Sequence, residues 1–199
     1  MVDLAHAFAA PAPIDHAWQG SARFAPRRSP AHGRALSPSV RRAQPADLAA
    51  LRRLINAAYA VERFFVDGER IDGAELGALA ERGHFLVLDA STPHLLGAPK
   101  DIAAAIHVRI DDDGRSGAIS LLSVAPEWQG HGLGRRLVAV AEALCTALGC
   151  VSVQLQIVNL RQELGPWYRS QGYRDVGTAP YDHRPAKQPC HFIQMQKSL

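Results

Sequence analysis

The chain has 199 residues, 47% of them hydrophobic and 21% charged, with a formal net charge of +3. This is globular rather than disordered composition, and no apolar run approaches the ~18 to 20 residues of a membrane-crossing helix. Arg23, Arg27, Arg28 and Arg34 against Asp3 and Asp15 place +2 of the charge in the first 39 residues, so the remainder lacks the clustered positive face of a nucleic-acid binder.

Residues 1–39 are rich in Ala and Pro and hold no sustained period, so a disordered extension is expected there. Its arginines and scattered serines permit an organelle transit peptide; a misassigned start or an idle tail fits equally well. Residues 40–199 are expected to form one domain, since about 150 residues can bury most of a core. Val40-Arg41-Arg42-Ala43 reads as a first strand, and Leu48, Leu51, Leu54, Ile55 and Ala58 give a helix over about 46–60. Asp72 with Glu75 has the spacing of a capping pair and opens a second helix that ends before Gly83. Strands follow over 84–88 and 102–110. Asp111-Asp112-Asp113-Gly114 joins the second of these to 118–124 as an antiparallel hairpin. Leu133, Leu137, Val140, Leu144 and Leu148 form one apolar stripe on a long helix, stopped by Gly149. A strand over 151–157, a helix over 160–170 and strands over 173–177 and 190–196 complete an α/β order that gives a mixed sheet flanked by helices. Cys145, Cys150 and Cys190 are odd in number and lack C-x-x-C spacing, which argues against a disulfide framework or zinc site, so no metal and a reducing, cytoplasmic compartment are expected.

The richest signal is Gln129-Gly130-His131-Gly132-Leu133-Gly134-Arg135-Arg136, wedged between the strand Leu122-Ser123-Val124 and the long helix. Glycines reach tight-turn backbone angles and carry no Cβ to hold a phosphate off the main chain. A helix that starts directly after them adds free N–H groups and the positive end of its dipole. A P-loop needs Lys and then Ser or Thr after its last glycine, and Arg135-Arg136-Leu137 stands here instead. A dinucleotide fingerprint needs two residues between its second and third glycines, where only Leu133 separates Gly132 from Gly134.

This Gln-Gly-x-Gly-x-Gly turn, preceded by Leu122-Ser123-Val124-Ala125-Pro126, resembles the acetyl-CoA-binding motif of the GNAT N-acetyltransferase superfamily, over roughly residues 39–199. The resemblance implies a mostly antiparallel sheet of about six or seven strands with about four helices. It implies that the strand splays from its neighbour near Val124, so that the main chain of Leu122, Ser123 and Val124 holds the pantetheine arm. The turn formed by Gln129, Gly130, His131, Gly132, Leu133, Gly134 and Arg135 then holds the pyrophosphate, His131 through its backbone. Tyr168-Arg169-Ser170-Gln171-Gly172-Tyr173 is similar to the end of the family's last helix, with Tyr168 as general acid toward the CoA sulfur; Asn159 matches an asparagine beside the cofactor. Pro166, which lacks an amide donor, is expected to kink that helix.

Where some relatives carry a strand glutamate as base, residues 118–124 offer only Ser120 and Ser123, leaving water or Glu62 to receive the amine proton. Glu62 reads equally as a solvated helix residue, and His107 as hydrogen-bonded structure. The expected partners are acetyl-CoA and a primary amine of a small molecule or peptide, with no membrane or nucleic acid, and homodimerisation left open. The expected reaction is direct N-acetyl transfer, without a cysteine nucleophile. The alternatives are a CoA-binding regulatory domain with weak catalysis and a nucleic-acid-associated protein recruited by the arginine-bearing tail.

Overall fold

A computed structural model describes residues 39–90 and 101–199; the expected disordered extension lies outside the described residues except for Ser39. Seven strands and four helices follow in the order β1 (Val40–Arg42), α1 (Leu48–Ala58), α2 (Gly73–Arg82), β2 (His84–Asp89), β3 (Ile102–Ile110), β4 (Ser116–Val124), α3 (Leu133–Ala147), β5 (Ser152–Val158), α4 (Leu164–Arg169), β6 (Arg174–Pro180) and β7 (His191–Ser198). The strands form a single sheet in the order β1-β2-β3-β4-β5-β7-β6. Among the described strands only β4 and β5 run parallel. No helix among the described residues is long and apolar enough to cross a membrane.

Alternation along the strands divides the side chains between two faces. On one, Leu86, Ala104, Ile106, Ile119, Val153, Leu155 and Met195 pack under α3 and α4. On the other, Phe85, Val87, Ala105 and Leu121 pack under α1 and α2. The most deeply buried line of α3 is Leu137, Val138, Ala141 and Cys145, shifted from the expected leucine stripe. Leu133, Val140 and Leu144 flank it and are only partly buried. At its C-terminal end the Cys145 sulfur fits over Gly117 of β4, where an added Cβ would collide with it.

The expected punctuation is present. Asp72 Oδ1 accepts from the Glu75 amide at 2.8 Å to open α2. After α3, Cys150 N–H donates to Cys145 O and Gly149 N–H to Thr146 O, with Gly149 at φ +88°, the paired bonds of a glycine helix stop. In the β3–β4 hairpin Asp113 Oδ1 accepts from the amides of Arg115 and Ser116 at 2.8 and 3.1 Å.

Two local expectations are corrected. α1 ends at Ala58 and passes into a 3-10 turn, Tyr59–Phe64, which carries Glu62 inward. α4 covers only Leu164–Arg169 and does not kink at Pro166. Pro166 falls in the first helical turn, where amides have no intrahelical acceptor and a missing N–H costs nothing.

Candidate functional site

β4 and β5 pair only from Ser116↔Ser152 to Ala118↔Gln154, although β4 continues to Val124 and β5 to Val158. The separation therefore starts well before Val124, the position the sequence suggested. Its local cause lies in β4. Between the pairs His107↔Ser120 and Ala105↔Ser123, β4 advances three residues while β3 advances two, and Leu121 takes φ +50°. A bulge of this kind bends and twists the strand that carries it, at about 1–2 kcal/mol for a non-glycine residue in the left-handed region. The buried Ser123 hydroxyl donates to Leu121 O at 3.0 Å and closes the bulge internally.

Past the bulge, Ala125 N–H donates to Ala103 O at 2.9 Å, and Ser123 faces Ala105 on β3. Peptide groups alternate along a strand, so the amides of Leu122 and Val124 turn toward the gap. Gln129 Nε2 donates to Val124 O at 3.2 Å and ties the glycine turn to the strand end. Gly130 and Gly132 have φ +79° and +77°, with nothing within 4 Å of where a Cβ would stand. α3 begins without a side-chain cap, and its first ladder bond is Arg136 N–H to Gly132 O at 3.1 Å. The amides of Leu133, Gly134 and Arg135 have no intrahelical acceptor there. Open glycines, free amides and the positive helix end fit a diphosphate.

A cleft of about 1130 Å³ is lined by this turn and the gap and also by Tyr59, Glu62, Arg70, Arg161, Tyr168, Tyr181 and His183. Tyr168 is 7% exposed; its ring meets Trp167 and Tyr173 edge-on at 4.7 and 5.5 Å between centroids. Burial raises its hydroxyl above the ordinary tyrosine pKa, which keeps it protonated. Glu62 is 6% exposed rather than solvated, and its Oε1 accepts from Arg161 Nη1 at 3.1 Å, while Arg161 Nε donates to Glu163 at 2.6 Å. Burial pushes the Glu62 carboxyl upward, and Arg161 and Arg70 oppose the push. Burial also moves the Tyr59 hydroxyl up to about 12.

The cleft brings together Leu122, Val124, Gln129, Gly130, Gly132, Leu133, Gly134, Arg135, Tyr168 and Glu62 of the residues expected from sequence. Ser123, His131 and Asn159 are not among its lining residues. Ser123 serves the bulge, and His131 Nδ1 donates to Gln129 O at 2.9 Å, bracing the turn. Asn159 Oδ1 accepts from the His191 amide at 2.9 Å and holds the start of β7. Cys145, Cys150 and Cys190 are unpaired and lie outside the lining. His107 is 2% exposed, with Nε2 donating to Leu79 O at 3.0 Å and Nδ1 accepting from Ser120 Oγ at 3.2 Å. Sequence reasoning missed Tyr59, Arg70 and Arg161. It also missed Gln154, Gln156 and Gln194, which alternate away from the α3 core and line the cleft. The polar alternation Gln154-Leu155-Gln156 was the available signal for these glutamines.

The family model for the GNAT acetyltransferase family matches residues 51–173. No curated sequence matches the chain significantly. Among solved structures, the ribosomal-protein-S18-alanine N-acetyltransferase from Escherichia coli is similar at 17% identity and TM-score 0.63, over 80% of this chain and 92% of that one. A ribosomal-protein-alanine N-acetyltransferase from Brucella melitensis reaches 22% identity and TM-score 0.62, over 81% and 99%. An aminoglycoside 6'-N-acetyltransferase complexed with coenzyme A reaches 14% and 0.63, over 80% and 96%. At these identities the likeness is one of fold.

Proposed function

The chain belongs to the GNAT acetyltransferase family, and we propose that it moves an acetyl group from acetyl-CoA directly to a primary amine. The observation that carries this reading is the gap between β4 and β5, which leads from the uncapped start of α3 to the buried Tyr168. The coenzyme A held by the similar aminoglycoside acetyltransferase supports the choice of donor.

In this reading the pyrophosphate rests on the amides of residues 130–135, and the pantetheine arm follows the gap along Leu122 and Val124. A free amide on β4 stabilises the developing oxyanion. The amine nitrogen attacks the thioester carbonyl, forming the C–N bond, and the tetrahedral intermediate collapses with cleavage of the C–S bond. Tyr168 gives its proton to the departing thiolate. Glu62, whose second carboxylate oxygen has no partner among the described residues, takes one proton from the incoming ammonium to free the lone pair that attacks, and the proton that nitrogen sheds after the C–N bond forms leaves through water. Its upward shift brings its basicity closer to neutrality, which favours that role. Direct transfer is also favoured because no cysteine lines the cleft, and the unpaired cysteines fit a reducing compartment.

The test is CoA release from acetyl-CoA with polyamines, amino acids, aminoglycosides and peptides with free N-termini, with the acetylated product identified by mass spectrometry. Release that depends on acceptor and yields the acetamide supports the reading. Tight CoA binding with no product from any acceptor replaces it with a CoA-binding regulatory domain.

A further inference from the structure

The end of the cleft around Glu62 carries guanidinium donors that constrain what enters it. Two guanidinium groups, Arg70 and Arg161, and two carboxylates, Glu62 and Asp182, line this end of the cleft, and both cations act on Glu62 and on Tyr59. Arg161 spends Nε on Glu163 and Nη1 on Glu62; its Nη2 has no hydrogen-bond partner among the described residues. Arg70 lies with its guanidinium carbon 5.3 Å from the centre of the Tyr59 ring. Its nearest carboxylate, Glu75, stands at 4.0 Å and is shared with Arg184 at 3.4 Å. Neither guanidinium has its donors filled.

A simple amine arriving as a cation can pair with Glu62 but leaves the unfilled donors of Arg70 and Arg161 without an acceptor. A carboxylate on the same molecule supplies that acceptor. Guanidinium forks match carboxylates in planarity and spacing, which a lone ammonium cannot do. The ammonium of such a molecule pairs with the free oxygen of Glu62, and its carboxylate spans Arg70 and Arg161.

Building on the acetyl-transfer reading above, we propose that the acceptor is a small zwitterion of the α-amino acid class, its carboxylate bound by Arg70 and Arg161 and its amine directed by Glu62 toward Tyr168. An aminoglycoside or polyamine brings no carboxylate, and a peptide N-terminus presents an amide where this arrangement calls for one.

The experiment uses matched triplets, each an amino acid, its carboxamide and the amine left by decarboxylation, with methionine, phenylalanine, glutamine and lysine as parents. Affinity for the CoA-loaded protein is read by calorimetry, and kcat/KM by CoA release. At least one amino acid is expected to exceed both relatives by about tenfold or more, since a site built to bind a polar group rejects the analogue that lacks it. Within R70Q, the ratio of acid to carboxamide should fall to about twofold, with CoA affinity and the thermal midpoint as folding controls. Carboxamides or decarboxylated amines that match or surpass every parent acid overturn the proposal. So does a preference that survives in R70Q and R161Q together. A carboxylate preference in binding with no CoA release from any acceptor upholds the subsite and defeats the acetyl-transfer reading instead.

Discussion

Gly132→Glu separates folding from cofactor binding, because the introduced charge acts on the two with different sign. At φ +77°, with nothing within 4 Å of the would-be Cβ, the side chain has room, and the fold bears only the backbone strain of about 1–2 kcal/mol. A carboxylate at the N-terminus of α3 returns about 0.3–1 kcal/mol through the helix dipole. Net destabilisation should therefore stay near 1 kcal/mol. A diphosphate seated on the neighbouring amides meets the new charge at about 5 Å, which at an effective dielectric constant of about 20 is worth about 3 kcal/mol, or roughly 150-fold in affinity. Gly132→Ala isolates the strain and should cost CoA little beyond it. Isothermal titration with CoA, alongside urea unfolding of the three proteins, gives both quantities. If Gly132→Glu binds CoA within threefold of the parent, the pyrophosphate does not sit on this turn.

Tyr168→Phe should lower kcat by about 100-fold and leave CoA affinity within about twofold by calorimetry; equal loss of both, or of neither, removes the acid role. His107, held near pKa 4 by burial, is a base favoured in its neutral form, so its contribution to stability is full above about 6.5 and is lost as pH falls toward 4. Linkage gives a loss of about 2 kcal/mol between about pH 7.5 and 5, which urea unfolding should find in the parent and not in His107→Gln. Gly117→Ala drives a methyl into the Cys145 sulfur and should cost about 1–3 kcal/mol; most of that loss should return in the double variant with Cys145→Ala, which a thermal melt can check.

What the sequence discloses here is what local physics decides. The order of elements follows from apolar period and turn chemistry, so Gly149 and Asp113 stand where their residue types require. The glycine turn is legible because its backbone demands are met by residues adjacent in sequence. The end of the cleft around Glu62 is not legible, because Glu62 and Arg161 are 99 residues apart, and nothing local to either marks the two as partners. Glu62 looks like a helix-surface acid until the 3-10 turn after α1 carries it inward. The bulge is equally hidden: Leu121 is an ordinary strand residue, and only the register with β3 exposes its left-handed backbone. Asn159 shows the converse: the side chain that the sequence assigns to the cofactor also has a structural task, its Oδ1 accepting from the His191 amide.

The gap and the anion cradle share one topological cause. β4 and β5 are parallel, so the chain must return along the sheet between them, and α3 is that return. Its 15 residues span about 22 Å, enough to carry the chain from the end of β4 back toward the start of β5. At its far end Val151 N–H donates to Arg115 O at 2.7 Å, beside the residues where the two strands still pair. The C-terminus of α3 therefore lies at the closed end of the gap and its N-terminus at the open end, where parallel strands commonly offer ligand sites. The bulge at Leu121 widens the same end from within the sheet. An anion drawn to the free amides of α3 thus has its remaining length directed into an opening that leads to Tyr168 and, beyond it, to the Glu62–Arg161 pair.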